Sequence, residues 1–122
     1  MKTALIVDDS TVTRSLIRSA IEDIDGLDIE EAHSGFEALK VLPRQSFDLI
    51  LADINMPDIN GLELLNFIKT NDQYKAIPVI IISTESSEED RKKGISLGAS
   101  GYLTKPFSPE DLQEIVRKHL NL

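Results

Sequence analysis

The chain has 122 residues, 41% hydrophobic and 28% charged, which is the composition of one ordinary globular domain and not of a disordered chain. Its 13 basic and 21 acidic side chains give a formal net charge of −8, so we expect no direct binding to nucleic acid. The absence of cysteine excludes disulfides, thiolate metal sites and thiol catalysis. Because no apolar run is long enough for a signal peptide or a bilayer span, we expect a cytoplasmic protein without membrane contact, folded as one domain over 1–122.

Five short apolar runs rich in β-branched residues alternate with five segments of helical periodicity along the chain. This pattern is typical of a parallel sheet covered by helices on both faces. The predicted strands are 3–7, 28–32, 48–52, 77–82 and 100–103. The predicted helices are 11–24, 35–42, 61–71, 87–98 and 109–120.

The first and last helices carry the clearest apolar stripes. The stripe of the first helix is predicted to contain Val12, Leu16, Ile17, Ala20, Ile21 and Ile24, and that of the last Leu112, Ile115, Val116 and Leu120. Ser34 and Ser108 are predicted to cap the starts of the second and fifth helices. The fourth helix has only Ile95 and Leu97 as large apolar residues, so we expect it to pack loosely.

The polarity of the predicted strands indicates their order in the sheet. The first, third and fourth are almost entirely apolar and belong in the centre, whereas the second and fifth are more polar and belong at the edges. This favours the order 2-1-3-4-5, a doubly wound, five-stranded parallel sheet in a flavodoxin-like (βα)5 three-layer α/β sandwich. Ligands of such sheets bind beyond the carboxyl ends of the strands where the winding reverses, here between strands one and three.

Polar side chains follow four of the predicted strands at their carboxyl ends: Asp8, Asp9, Asp53, Ser83, Thr84 and Lys105. Each alone is more simply explained as a turn or capping residue, but turn residues have no reason to gather around one switch point. Two carboxylates ~4 Å apart repel by about 4 kcal/mol at an effective dielectric near 20, so three of them require a cation. Oxygen ligands without Cys or His favour a hard ion, and Mg²⁺ is the first choice.

The central carboxylate of this group, Asp53, is the candidate nucleophile. A carboxylate can attack phosphorus to form an acyl phosphate while Mg²⁺ and an ammonium neutralise the phosphoryl oxygens. The Ser83 hydroxyl and the Lys105 ammonium come from neighbouring strands and are predicted to hydrogen-bond those oxygens.

Several segments resemble response-regulator receiver domains: Val7-Asp-Asp-Ser10, Asp53-Ile-Asn-Met-Pro57, Asn60-Gly-Leu-Glu-Leu-Leu65, Ser83 and Gly101-Tyr-Leu-Thr-Lys-Pro-Phe107. The similarity spans the whole chain, and Ser83 and Lys105 follow Asp53 by 30 and 52 residues, the spacings that the family uses. Within the family, the chain is most similar to the CheY-like single-domain regulators of chemotaxis. The features that carry this narrower similarity are Asn55, Glu85 and Tyr102.

The resemblance implies a phospho-acceptor and a set of Mg²⁺ ligands. Asp53 would accept the phosphoryl group. The metal ligands would be Asp9 and Asp53 directly, Asp8 through water, and the backbone carbonyl of Asn55.

The resemblance also implies roles for four residues around the acceptor. Lys105 would bridge the phosphate and the acids, Ser83 would hydrogen-bond the phosphoryl group, and Tyr102 would be the switch aromatic that turns inward on activation. Thr84 stands where the family usually has alanine or glycine and would crowd the phosphate entrance. The Lys105–Pro106 bond resembles the family's cis peptide.

As partners, the resemblance implies a histidine kinase whose phosphohistidine is the phosphodonor, and a protein target that binds a face formed by the fourth helix, fifth strand and fifth helix. We expect a monomer or a weak phosphorylation-dependent dimer. The chain would be a signalling domain that catalyses only its own phosphotransfer and autodephosphorylation. Chemotaxis output, a phosphorelay intermediate and the regulator of a separate enzyme all remain open.

Two rival functions share parts of this pattern. A flavin-binding module would use the hydroxyl-rich segment after the first strand, but Asp8 and Asp9 would oppose the flavin phosphate. An aspartyl-phosphate hydrolase would need an acid two residues after its nucleophile, where this chain has Asn55.

Overall fold

The computed structural model describes residues 1–84 and 88–122. Its strands are β1 Lys2–Val7, β2 Leu27–Ala32, β3 Leu49–Ala52, β4 Val79–Ser83 and β5 Gly101–Thr104. Its helices are α1 Thr11–Ile21, α2 Gly35–Val41, α3 Gly61–Thr70, α4 Glu88–Ser96 and α5 Pro109–Leu120, with a 3-10 turn at Leu42–Arg44. All ten predicted elements are present within a few residues of their expected ends, although Glu85 and the expected start of the fourth helix at 87 lie outside the described residues.

The sheet is parallel throughout and has the order β2-β1-β3-β4-β5, which confirms the predicted architecture. β3 and β4 are buried at every position, whereas β2 alternates and no residue of β5 is fully buried. Central strands are covered by helices on both faces and must be apolar throughout, so composition determines their place.

Successive residues of the central strands point to opposite faces of the sheet and supply two separate cores. On one face, Leu5, Ile50 and Ile81 pack with buried residues of α2 and α3. On the other face, Ile6 and Ile80 pack with buried residues of α1 and α5. The sheet is therefore the middle layer of a three-layer sandwich.

The apolar stripe of α1 is buried only in its second half, which corrects the sequence-based expectation. Val12 and Leu16 are 69% and 60% exposed, whereas Ile17 and Ile21 are 2% and 0% exposed. The first turns of α1 lie beside the loops at the carboxyl edge of the sheet, so no core residue covers them. The helix also ends earlier than predicted, but Ile24 remains in the core, and its N–H donates to the carbonyl of Ile21 at 3.1 Å.

The predicted helix starts have the expected caps. The Ser34 hydroxyl accepts a hydrogen bond from the N–H of Glu37, and the Ser108 hydroxyl accepts one from the N–H of Asp111. The loose packing expected for α4 is also present, because Gly94 is its only buried residue and Ile95 is 55% exposed. Among the described residues, no helix has the length and apolar character needed to cross a bilayer.

Candidate functional site

The pairing of β1 with β3 brings Asp8 and Asp53 side by side at the carboxyl edge of the sheet. The last residues of these strands, Val7 and Ala52, are register partners, and the N–H of Asp53 donates to the carbonyl of Val7 at 3.0 Å. Asp8 and Asp53 are buried, whereas Asp9 is exposed. One carboxylate oxygen from each of the three acids lies within 4.8 Å of the others, so they form a single cluster at the predicted switch point.

Lys105 is the cation that enters this cluster. Its Nζ lies 3.1 Å from Asp8 Oδ2 and 3.6 Å from Asp53 Oδ1, and its side chain is only 16% exposed. Its backbone N–H donates to the carbonyl of Ser83 at 2.8 Å, which ties the loop after β5 to the end of β4. The Lys105–Pro106 peptide is cis, as expected.

Asp53 is a buried acid whose charge is only partly compensated by its neighbours. Its Oδ1 is buried and accepts no hydrogen bond from any described residue, because the Lys105 ammonium approaches only to ion-pair distance. Burial raises the pKa of Asp53 above its ordinary value, and the nearby Asp8 and Asp9 raise it further. The Lys105 charge and the backbone N–H of Asn55 oppose this shift without cancelling it.

The donor set of the cluster fits a hard divalent cation. It offers carboxylate oxygens without thiolate or imidazole, and one of those oxygens is buried without a hydrogen-bond donor among the described residues. Three carboxylates and one ammonium leave a formal charge of −2, which a divalent ion would balance. Receiver domains as a class bind Mg²⁺ in an acidic pocket of this kind.

The remaining predicted residues surround this cluster at different depths. Ser83 is fully buried at the end of β4, and Thr84 after it is exposed. Thr84 and Lys105 line a largely apolar cavity of about 350 Å³ together with residues of α1 and of the loop after β5. Asn55 is exposed in the loop that follows Asp53. Tyr102 lies on the edge strand β5, two strands from β3, where it is half-buried opposite Ile81 and packs against the α2–α3 core.

Two residues that support the site were missed in the sequence-based analysis. Gly61 begins α3 directly against the backbone of Asp53, and a Cβ there would overlap the Asp53 carbonyl. Asp58 accepts hydrogen bonds from the N–H groups of Gly35 and Phe36 and thereby fastens the β3–α3 loop to the start of α2. Asn60 caps α3 by accepting a hydrogen bond from the N–H of Glu63, and a glycine directly after such a cap was the available signal for Gly61. Nothing in the sequence indicated the role of Asp58.

A doubly wound sheet with an acidic, oxygen-only cluster at its switch point defines a class of α/β domain whose site suits a divalent cation. The family model of the response regulator receiver domain, a description of its sequence pattern, matches residues 4–117 of the chain. The chain therefore belongs to the response regulator receiver domain family, whose members act in two-component signalling and receive a phosphoryl group from histidine kinases.

Relatives within the family have different outputs. A probable transcriptional regulator, ycf29 of Porphyra purpurea, is 37% identical over 93% of this chain, which spans only 54% of that protein. The structure of the Vibrio cholerae chemotaxis protein CheY4 is 36% identical, covers 97% of this chain and 98% of that one, and superimposes with a TM-score of 0.89. The Mn²⁺-bound form of the response regulator Rcp1 is 29% identical over 97% of this chain and 91% of that one, with a TM-score of 0.83.

Proposed function

We propose that this receiver domain accepts a phosphoryl group on Asp53 from a histidine kinase in an Mg²⁺-dependent reaction, and that phosphorylation changes its affinity for a protein partner. The observation that carries the proposal is the buried Asp53 carboxylate, which faces two further acids and one lysine. Its Oδ1 is buried without a hydrogen-bond donor among the described residues, so a bound cation would stabilise its ionised form.

In the proposed transfer, a carboxylate oxygen of Asp53 forms a bond to phosphorus while the P–N bond of the donor phosphohistidine breaks. The imidazole leaves with the electron pair of that bond. Asp9, Asp53 and the Asn55 carbonyl would hold Mg²⁺, with Asp8 acting through water, and the bound ion would neutralise charge on the phosphoryl oxygens. Lys105 lies within ion-pair distance of both Asp8 and Asp53, so its ammonium is near enough to move onto the phosphoryl group.

The proposed metal site has support from outside the chain as well as within it. The similar regulator Rcp1 has an Mn²⁺-bound form. Mn²⁺ and Mg²⁺ share a preference for carboxylate, carbonyl and water oxygens. In this chain, the carboxylates of the acidic cluster lie close enough to repel one another, and a bound hard divalent ion would offset that repulsion.

Hydrolysis of phosphate esters is the main rival chemistry, and the position of Asn55 counts against it. A hydrolase of this type needs an acid near its Asp nucleophile to protonate the leaving group. Asparagine cannot transfer a proton near neutral pH, so we expect negligible turnover of small phosphate esters. Steady release of phosphate from small esters would contradict this expectation.

The proposed output is a population shift in the region of α4, β5 and α5. Phosphorylation would favour inward positions of the Ser83 hydroxyl, of Thr84 and of the Tyr102 ring. This change would reach the loosely packed α4. Within the described residues α4 has one buried residue, so it can change position at small cost. Unchanged amide chemical shifts in α4, β5 and α5 after phosphorylation would contradict this proposal.

The first experiment is incubation with acetyl phosphate and Mg²⁺ followed by intact mass spectrometry. We expect wild type to gain one phosphoryl group, sensitive to hydroxylamine as an acyl phosphate is, and Asp53→Asn to gain none. Asp72→Asn is the matched control, because the side chain of Asp72 is 95% exposed and follows the end of α3, the opposite end from Gly61, which lies against Asp53. Labelling of Asp53→Asn to the wild-type level would show that the acceptor is another residue.

We further propose a role in chemotaxis, on the basis of the similarity to CheY4. Transcriptional regulation is the second candidate, because it is the probable activity of the relative ycf29. Affinity capture with protein treated with beryllium fluoride and Mg²⁺, a mimic of the phosphorylated state, tests the two. Selective recovery of a chemotaxis component supports the first, and selective recovery of a transcription component instead would overturn it.

A further inference from the structure

Arg14 links the site to the neighbouring strand β2 through a side chain that is 14% exposed. Its Nη1 donates to the backbone carbonyl of Asp8 at 2.7 Å, and its Nε donates to Glu31 Oε1 at 3.1 Å. Asp8 belongs to the loop between β1 and α1, whereas Glu31 lies in β2. One guanidinium therefore fastens the acidic loop to a strand of the sheet.

The orientation of this guanidinium is itself constrained. The N–H groups of arginine lie in one rigid plane, so a bond at Nε determines the direction in which Nη1 donates. Glu31, the acceptor at Nε, is also held by Arg18, whose Nε lies 2.6 Å from Glu31 Oε2. Arg18 makes a second bond to the carbonyl of Ile29 and none to Asp8 among the described residues.

The consequence for the acidic loop is that Asp8 is held at all three of its oxygens. The carbonyl accepts from Arg14, Oδ1 accepts from the N–H of Ser10 at 2.9 Å, and Oδ2 accepts from Lys105. The Asp8 carbonyl belongs to the planar peptide group that joins Asp8 to Asp9. By fixing the plane of that peptide, Arg14 also limits the directions in which the exposed Asp9 side chain can point.

We propose that Arg14 is a positioning residue for the divalent cation, acting through the Asp8–Asp9 peptide without contacting the ion. This inference rests on the proposed function, since it concerns the ligands of the same site. Groups that orient metal ligands contribute to affinity because ligands already in place lose little conformational entropy on binding. Removing such a group typically weakens metal binding by 10- to 100-fold.

The test compares Arg14→Met with Arg18→Met in titrations with MgCl₂, followed by isothermal titration calorimetry and by amide chemical shifts. Each variant removes one positive charge and one ion pair with Glu31 and keeps an unbranched side chain. Arg14→Met also removes the bond to the Asp8 carbonyl and a long one to the Thr11 hydroxyl, whereas Arg18→Met removes the bond to the Ile29 carbonyl. We expect about a tenfold or greater rise in the Kd for Mg²⁺ in Arg14→Met. In Arg18→Met we expect a rise of less than about threefold.

A second measurement uses the metal-free protein. We expect the amide of Ser10, whose N–H donates to Asp8 Oδ1, to exchange with solvent at least several-fold faster in Arg14→Met than in Arg18→Met, because Asp8 is no longer held through its carbonyl. Urea unfolding of both variants establishes that each is folded. Should Arg14→Met not fold, Arg14→Lys and Arg18→Lys repeat the comparison with the charge retained, and the Arg14 variant is again expected to bind Mg²⁺ more weakly, because lysine lacks the planar fork.

The outcomes separate this inference from the proposed function. If wild type does not bind Mg²⁺, the proposed function is wrong and the inference falls with it. If wild type binds Mg²⁺ but the Arg14 and Arg18 variants bind it equally well, or equally poorly, only the positioning role of Arg14 is wrong. Equal weakening in particular would show that the shared ion pair with Glu31, and not the bond to the Asp8 carbonyl, supports the site, because loss of a positive charge by itself favours cation binding.

Discussion

Helices α1 and α4 lie on opposite faces of the sheet and are attached to it with very different strength. α1 buries Ile17, Ala20 and Ile21, and its end is held by Gln113 of α5, whose amide donates to the carbonyl of Ala20 at 2.7 Å. By contrast, α4 buries only Gly94 and exposes its one large apolar residue. Fewer buried apolar contacts mean a smaller free-energy cost of local displacement.

Because of this difference, α1 is suited to hold the site in place and α4 is suited to the proposed output. The acidic cluster depends on carboxylates that stay within a few ångströms of one another, and it stands at the start of α1, a helix whose second half is firmly packed. A signal that moves part of the molecule at low cost requires a region of low local stability, and α4 provides one. The comparison predicts that substitutions near the site are costly and that equivalent substitutions in α4 are not.

The largest contrast is expected between two glycines. A Cβ at Gly61 would overlap the backbone of Asp53, which cannot move without displacing β3, so we expect Gly61→Ala to lower the free energy of unfolding by about 4 kcal/mol or to prevent folding. A Cβ at Gly94 of α4 would make an ordinary 3.6 Å contact with Leu62, so Gly94→Ala should stabilise by about 0.5–1 kcal/mol. Urea unfolding measures both, and a tolerated Gly61→Ala would contradict the close approach.

The second contrast uses matched isoleucines. Ile21 of α1 is fully buried, so Ile21→Ala should lower the free energy of unfolding by about 2–4 kcal/mol through lost burial and a new cavity. Ile95 of α4 is 55% exposed, so Ile95→Ala should change it by no more than about 0.5 kcal/mol. Similar losses in the two variants would show that α4 is as firmly packed as α1.

The smallest expected effect concerns the charge of Asp53. Because burial raises its folded-state pKa, ionising Asp53 disfavours the folded state, and the native protein loses stability as pH rises from the ordinary carboxyl pKa through the folded one. We expect Asp53→Asn to be about 1–2 kcal/mol more stable than wild type at neutral pH without metal. This gain should disappear below about pH 4, where the carboxyl group is protonated in both states.

Urea unfolding in EDTA at several pH values measures this gain, with Asp72→Asn as the exposed control. Adding Mg²⁺ to tenfold its Kd should stabilise wild type by about 1.4 kcal/mol and leave Asp53→Asn nearly unchanged. A gain for Asp53→Asn that persists unchanged at acidic pH would show that packing, not charge, is responsible.

The fold could be predicted from the sequence because its determinants are local. Apolar β-branched runs mark the strands, capping residues such as Ser34 and Ser108 mark helix starts, and strand polarity separates edges from the centre. The residues of the site could be named for a related reason. Acids that follow β1 and β3 arrive at the same edge of any parallel sheet in which these strands pair.

Only the tertiary structure determined which side chains are covered by other elements and which backbone groups lie against them. The periodicity of α1 gives the direction of Val12 and Leu16 but cannot say that no core residue lies opposite them, so their exposure was not predicted. Gly61 and Arg14 matter because of what lies against them, the backbone of Asp53 and the carbonyl of Asp8, each in the loop that precedes the helix concerned. Periodicity records where a side chain points, and only the packed chain determines what it meets there.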